Sequence, residues 1–168
     1  MSASNSWGKH LLVVAGESVV ASSAATFSAL ALELPIWAMF IGWIAFFSRG
    51  VNFKAGLVNL GCVLIGLALG IGAAYLQGAL GPHLGAYAIG VVVLAITAAA
   101  LSLARLPVFS NLLGFFLGLV SYFASHLPPT LASFASLGLA AAIGIFAGFL
   151  AHAWAHRVNA IRPAGSAS

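Results

Sequence analysis

Six apolar runs follow one another along the chain, at about 11–32, 34–48, 55–77, 84–104, 107–125 and 130–155, divided by short breaks. None alternates with a period of two, so strands are not indicated. Backbone amides and carbonyls cannot be left bare in lipid, so the runs are predicted to be helices. Most of them approach the roughly 20 residues that a hydrocarbon crossing requires. Pro35 and Pro107 open the second and fifth runs, where proline suits a first helical turn. Ser48-Arg49-Gly50, Gly81-Pro82 and Pro128-Pro129 mark other connections.

The run at 34–48 is ambiguous. As a helix it spans only about 22 Å against a core of roughly 30 Å, so it is either a short tilted crossing or a re-entrant half-helix. Charge placement discriminates, because Lys and Arg collect on the cytoplasmic side. Six full crossings from a cytoplasmic N-terminus put Lys9, Arg49, Lys54, Arg105, Arg157 and Arg162 all inside. Glu33, His83, His126 and the uncharged turn near Gly81 then fall outside. Making the second and fifth runs re-entrant would move Arg49, Lys54 and Arg105 outside. The expectation is therefore a multi-pass protein of a bacterial inner membrane with both termini cytoplasmic. Residues 1–10 and 157–168 are read as flexible tails around one membrane domain at 11–156.

An internal repeat at an offset of 72 residues overlies this pattern. Gly66-Leu67-Ala68-Leu69-Gly70-Ile71-Gly72 returns as Gly138-Leu139-Ala140-Ala141-Ala142-Ile143-Gly144, five of seven identical. In the same register Leu34-Pro35-x-Trp37 returns as Leu106-Pro107-x-Phe109, and Gly42-Trp43 as Gly114-Phe115. The first runs of the two halves match poorly. Two halves of three crossings each (about 11–77 and 83–149) must lie in opposite orientations. The fold class expected is all-α, six transmembrane helices in two inverted three-helix repeats.

Composition agrees with a lipid solvent. The chain is 62% hydrophobic and 5% charged, where a soluble domain carries roughly 25% charged residues. Its net charge of +4 comes from basic residues scattered singly, which make no nucleic-acid patch. The single cysteine, Cys62, excludes an intrachain disulfide. A signal peptide over 9–32 is the alternative for the first run, but that stretch is long and Glu17 interrupts it.

Glu17 is the first candidate for chemistry, since an intramembrane carboxylate is costly and marks function by default. With Ser18, Ser22, Ser23, Thr26 and Ser28 it gives the first run a polar face. That face is either a solute or proton site, or a buried carboxyl bonded to a neighbouring helix. Asn111, about one turn into the fifth run, either lines a polar path or ties two helices together. Asn59, Gln77, Tyr75 and Tyr122 are similar but nearer the ends. The Leu-Pro-x-aromatic starts either aim helix N-termini at a substrate or are plain starts with belt aromatics. Gly66 with Gly70 and Gly138 with Ala142 put small residues on one helix face. The third and sixth helices are expected to pack through these faces, on each other or on a neighbouring subunit. His152 and His156 stand four apart, but no Asp, Glu or Cys completes a metal site, and interfacial anchoring is the simpler reading. No nucleophile motif, paired carboxylates or phosphate loop occurs, so no enzyme, cofactor or metal is expected.

The run Leu34-Pro35-Ile36-Trp37-Ala38-Met39-Phe40-Ile41-Gly42-Trp43, with the basic loop and small-residue run that follow it, resembles a family of small bacterial inner-membrane proteins of unknown function, DUF1097. The likeness covers about 11–156 and implies fold and location, with no catalytic residues to transfer. A looser, fold-level likeness is to urea-channel proteins, which also use inverted repeats and Leu-Pro helix starts. The expected function is a channel or permease for a small neutral solute, in a lipid bilayer and as a homo-oligomer. Glu17, Ser18, Ser22, Thr26 and Asn111 are the pathway candidates. The alternative is a non-transporting accessory, assembly or sensor protein.

Overall fold

Helices form where the apolar runs lie, but several of their ends move. The computed structural model describes residues 3–160 and is all-helical, with no strand among the described residues. The helices are α1 (Ala3–Thr26), α2 (Ile36–Ser48), α3 (Phe53–Leu84), α4 (Ala88–Leu103), α5 (Leu112–Ser125) and α6 (Leu131–Ala160). A π-turn, Phe27–Ala31, extends α1, and a 3₁₀ turn, Gly85–Tyr87, joins α3 to α4. Three helical stretches are long and apolar enough to cross a bilayer: Trp7–Ala31, Phe53–Leu103 and Leu131–Ala160. This is the make-up of a membrane protein. α2 and α5 are apolar but shorter, at 13 and 14 residues.

Four expected boundaries are corrected. Residues 3–10, expected as a tail, are the first turns of α1. Residues 157–160, expected as part of a C-terminal tail, belong to α6, which runs on to Ala160; the rest of that expectation, 161–168 with Arg162, lies outside the described residues. Gly81-Pro82 does not break α3. Pro82 stands in the last turn, so the one i→i−4 bond it forfeits, to the Gly78 carbonyl, falls at the helix end, and the helix stops at Gly85 with φ +53°. Pro107 does not open α5. The chain leaves α4 in tight turns, Arg105 N–H to Ser102 O and Leu106 N–H to Leu103 O, and α5 starts only after Asn111. Asn111 is thus the N-cap of α5, its side chain accepting from Gly114 N–H at 3.3 Å.

The long stretch Phe53–Leu103 is a hairpin rather than a rod. Ala100, Leu103 and Ala104 pack with Cys62 and Val58, which a straight helix would hold about 57 Å apart. α4 therefore folds back along α3.

Two seams of close backbone contact hold the core. α2 packs mainly on α6, and α5 mainly on α3. A Cβ on Gly42 would overlap the carbonyl of Ala141, and one on Gly144 the carbonyl of Met39. On the other seam, Gly66 faces the carbonyl of Phe115 and Gly118 that of Val63, while Gly70 abuts Tyr122. The glycines of α3 thus seat α5, rather than α6 or a neighbouring subunit, the two alternatives expected. Gly138 does touch α3, but only through the end of the Leu64 side chain, and Ala142 is half-buried. Met39, Phe46, Val63, Leu67, Phe115 and Leu137 fill the centre with no exposed surface. α1 packs chiefly on α6, and α4 chiefly on α3.

The bundle is electrically polar along its length. Arg49 bonds Ser110 of the α4–α5 link, Phe149 of α6 meets Phe53 edge-on at 5.6 Å, and Trp154 of α6 bonds Leu12 O of α1. Those contacts gather Lys9, Arg49, Lys54, Arg105 and Arg157 at one end. Glu33 and His126 belong to the links at the opposite end, and His83 to the last turn of α3 there, where Tyr75 O–H donates to Pro129 O at 2.6 Å.

Candidate functional site

The shortness of α2 creates open space at both of its ends. Thirteen helical residues span about 20 Å, roughly 10 Å less than a hydrocarbon core. At its N-terminal end a cavity of about 550 Å³ opens between the α1–α2 and α5–α6 links. Glu33, Pro35, Trp37, Ser125, Leu127 and Ser136 line it. Glu33 is one of two acidic residues in the chain, and its carboxylate is exposed.

Backbone irregularity concentrates on this vestibule. Among the described residues, Glu33 and His126 are the two non-glycine residues with positive φ, both at +52°. Glu33 lines the cavity, and His126 sits between the lining residues Ser125 and Leu127. Each left-handed residue costs on the order of 1 kcal/mol, and such strain collects at functional sites. The cause at Glu33 is local. The π-turn widens the end of α1, and Leu34 N–H reaches back to Ser28 O at 2.8 Å, which forces the intervening chain through a tight reversal. π-turns are themselves frequent at functional sites. At His126 the left-handed residue caps α5, and Leu127 N–H donates to Ser125 Oγ at 3.1 Å.

One further polar group adjoins the vestibule. Ser28, next to the lining residue Ala29, is fully buried and its hydroxyl has no hydrogen-bond partner. A buried hydroxyl without a partner is costly and wants an acceptor or donor. Ser28→Ala is expected to raise thermal stability by up to about 1 kcal/mol, because it removes the unmet demand. A lowered melting midpoint in detergent would instead mean that the hydroxyl is bonded in the working protein.

The predicted pathway residues do not converge on this vestibule. Glu17 is half-buried on the flank of α1 that meets α6, next to Gly16, which lies against the Trp154 indole. Trp154 Nε1–H donates to Leu12 O at 3.2 Å. Ser18, Ser22 and Thr26 are exposed and recur every four residues, so they form a stripe on the outer face of α1. Asn111 is buried at the opposite, basic end. There its Nδ2 donates to Asn59 Oδ1 at 2.8 Å and to Ser48 Oγ at 2.7 Å. Asn59 Nδ2 donates to Arg49 O at 3.0 Å and weakly to Phe46 O. This network ties the ends of α2, α3 and α5 together, the role of a polar clamp between helices. Asn59, given less weight from sequence, is its hub. Its spacing seven residues after the N-cap Asn52 gave no sign of a partner.

His152 and His156 stack at 6.4 Å between ring centres, and His152 also faces Phe46 at 6.3 Å. Among the described residues no group of three His, Cys, Asp or Glu side chains gathers as a metal site would require.

No curated protein and no solved structure matches this sequence. A family model does, over residues 16–152, and its description is a protein of unknown function, DUF1097. The match takes in α2, α3, α4 and α5 whole, with both glycine seams and the residues around the vestibule. The chain belongs to the DUF1097 family of proteins of unknown function.

Proposed function

We propose that this protein is an inner-membrane channel or permease for a small neutral solute that is taken up at the vestibule on α2. In this reading α2 and α5 are short crossings, giving six spans in two inverted halves with both termini cytoplasmic. The packing supports it. Exchanging α1, α2, α3 with α4, α5, α6 converts the α2–α6 seam into the α5–α3 seam, and the α1–α6 contact into the α4–α3 contact. The gathering of basic residues at one end supports the cytoplasmic assignment.

The observation that carries the functional reading is the coincidence of a carboxylate, an indole and hydroxyls on one cavity, with one left-handed residue, Glu33, lining it and the other, His126, between two lining residues. Glu33 can accept N–H or O–H donors, Trp37 offers an apolar face, and Ser136 can both donate and accept, while the Ser125 hydroxyl donates to Tyr122 O and keeps only acceptor capacity. Such a lining recognises an uncharged amide or polyol by shape and hydrogen bonds. Inward of it, Ala38, Met39, Ala45 and Phe46 on α2 are fully buried, so passage requires these side chains to move. A homo-oligomer would cover the exposed outer face of α1.

The test is stopped-flow light scattering on proteoliposomes with urea, glycerol, acetamide and ammonia. The expected result is protein-dependent solute influx that Glu33→Gln lowers roughly tenfold, the loss of one hydrogen bond to a charged group. Glu17→Gln, which lies off the vestibule, should leave the rate unchanged. Absence of flux for every solute, from protein shown to be folded, would reject the channel. The second reading would then stand: an accessory or assembly protein. The uncovered Ser18, Ser22, Thr26 stripe on α1 favours that reading, because hydroxyls on an outward face suit another helix better than lipid.

A further inference from the structure

The basic end carries a second cavity, of about 400 Å³, at the junction of the α2–α3 and α4–α5 links. Arg49, Asn52 and Lys54 supply its polar wall; Val58, Pro107 and Val108 supply an apolar one. Its two cations meet no carboxylate among the described residues. The chain has two acidic residues, of which Glu33 is at the far end and Glu17 is on α1.

Arg49 is also held in place. Its backbone carbonyl is gripped by buried Asn59, and its guanidinium bonds Ser110 across the groove. An arginine fixed at both ends loses little freedom on meeting a ligand, and its remaining N–H donors match phosphate oxygens. The mixed wall fits a group that is anionic at one end and apolar beyond it. Two exposed cations converging on one cavity attract an outside anion, and at the cytoplasmic face, to which the proposed topology assigns this end, the abundant one is a lipid phosphate.

We propose that the groove between Arg49, Lys54 and Val108 is a binding site for a phosphate anion, occupied by the headgroup of an anionic phospholipid. The site does not depend on the transport reading, since it lies at the other end of α2. Arg49 and Lys54 clasp the phosphate oxygens. Val58, Pro107 and Val108 cover the first carbons of the acyl chains.

The experiment uses purified full-length protein in detergent, with thermal shift and native mass spectrometry as readouts. The probes are phosphatidylglycerol, phosphatidylcholine and inorganic phosphate. Phosphatidylglycerol is expected to stabilise the protein and remain bound, with phosphatidylcholine far weaker. A juxtamembrane cation contributes roughly fivefold in affinity, so Lys54→Gln should weaken phosphatidylglycerol binding about fivefold and the Arg49→Gln, Lys54→Gln pair about 25-fold. Arg157→Gln, at the same end but off the groove, should bind as the parent does. Lys54 is exposed and makes no hydrogen bond or ion pair among the described residues, so Lys54→Gln keeps the test open should Arg49→Gln fold poorly. Binding of inorganic phosphate alone that these substitutions abolish would keep the phosphate site but assign it to a soluble anion. Lipid selectivity unchanged in the double variant, or absent in the parent, would overturn the proposal.

Discussion

Gly144→Leu is expected to yield no folded protein. Any Cβ at this position overlaps the Met39 carbonyl and closes on the Trp43 amide nitrogen, at 2.7 Å. These are backbone atoms in the middle of α2, so no rotamer change relieves the overlap. Relief requires α2 and α6 to separate along their whole seam, which also carries Gly42 against Ala141 and Gly148 against Phe46. Overpacking where side chains can yield costs about 1–3 kcal/mol; here the neighbour cannot yield, and the cost exceeds that range. Gly72 supplies the control. It is the repeat counterpart of Gly144 in sequence, yet a Cβ there meets nothing within 4 Å. Gly72→Leu should therefore melt within about 0.5 kcal/mol of the parent, as substitutions away from packed features do. Fluorescence-detected size exclusion of both variants in mild detergent reads the difference directly. A monodisperse Gly144→Leu peak with the parent melting temperature would show that the α2–α6 seam is not as close as described.

That contrast shows what the sequence can and cannot say. The repeat block makes Gly72 and Gly144 equal, and glycine spacing announces that some backbone comes close. It does not name which backbone, because any helix with a small residue in register can fill the groove. Hence Gly66 and Gly70 were expected against α6 or a neighbouring subunit and are found against α5. The helices themselves were legible, since hydrophobic runs bounded by breakers leave no other choice in lipid. Their ends were less so. Pro107 reads as a helix start, with Asn111 a turn inside, but α5 begins only after Asn111, whose side chain caps Gly114 while also reaching Asn59. The vestibule was invisible for a different reason. Glu33 is unremarkable in sequence, a carboxylate in a link. It becomes part of a cavity only because a 13-residue α2 stops short and α5 ends beside it in a left-handed turn. The rule that intramembrane carboxylates mark function pointed instead to Glu17, on the flank of α1.

Asn111→Leu is expected to be the most damaging polar substitution in the chain. It removes the N-cap of α5, worth about 1 kcal/mol. It also leaves Asn59 Oδ1 without the donor it has at 2.8 Å, and a buried polar atom that loses its partner costs about 1–3 kcal/mol. The sum is about 2–4 kcal/mol, reduced where water from the neighbouring groove can reach the exposed acceptor. Two companions separate the terms. Asn111→Ser keeps a good cap but is too short to reach Asn59, so it should retain the cap's share and lose the network's. Asn59→Ala removes the hub, freeing the Arg49 carbonyl. Because both residues belong to one network, the Asn59→Ala, Asn111→Leu pair should cost less than the sum of the singles by about 0.5–3 kcal/mol. Denaturant or thermal unfolding of the four proteins in the same detergent closes the cycle. Additive losses would mean that the two asparagines act independently, and that α2, α3 and α5 are held by their glycine seams alone.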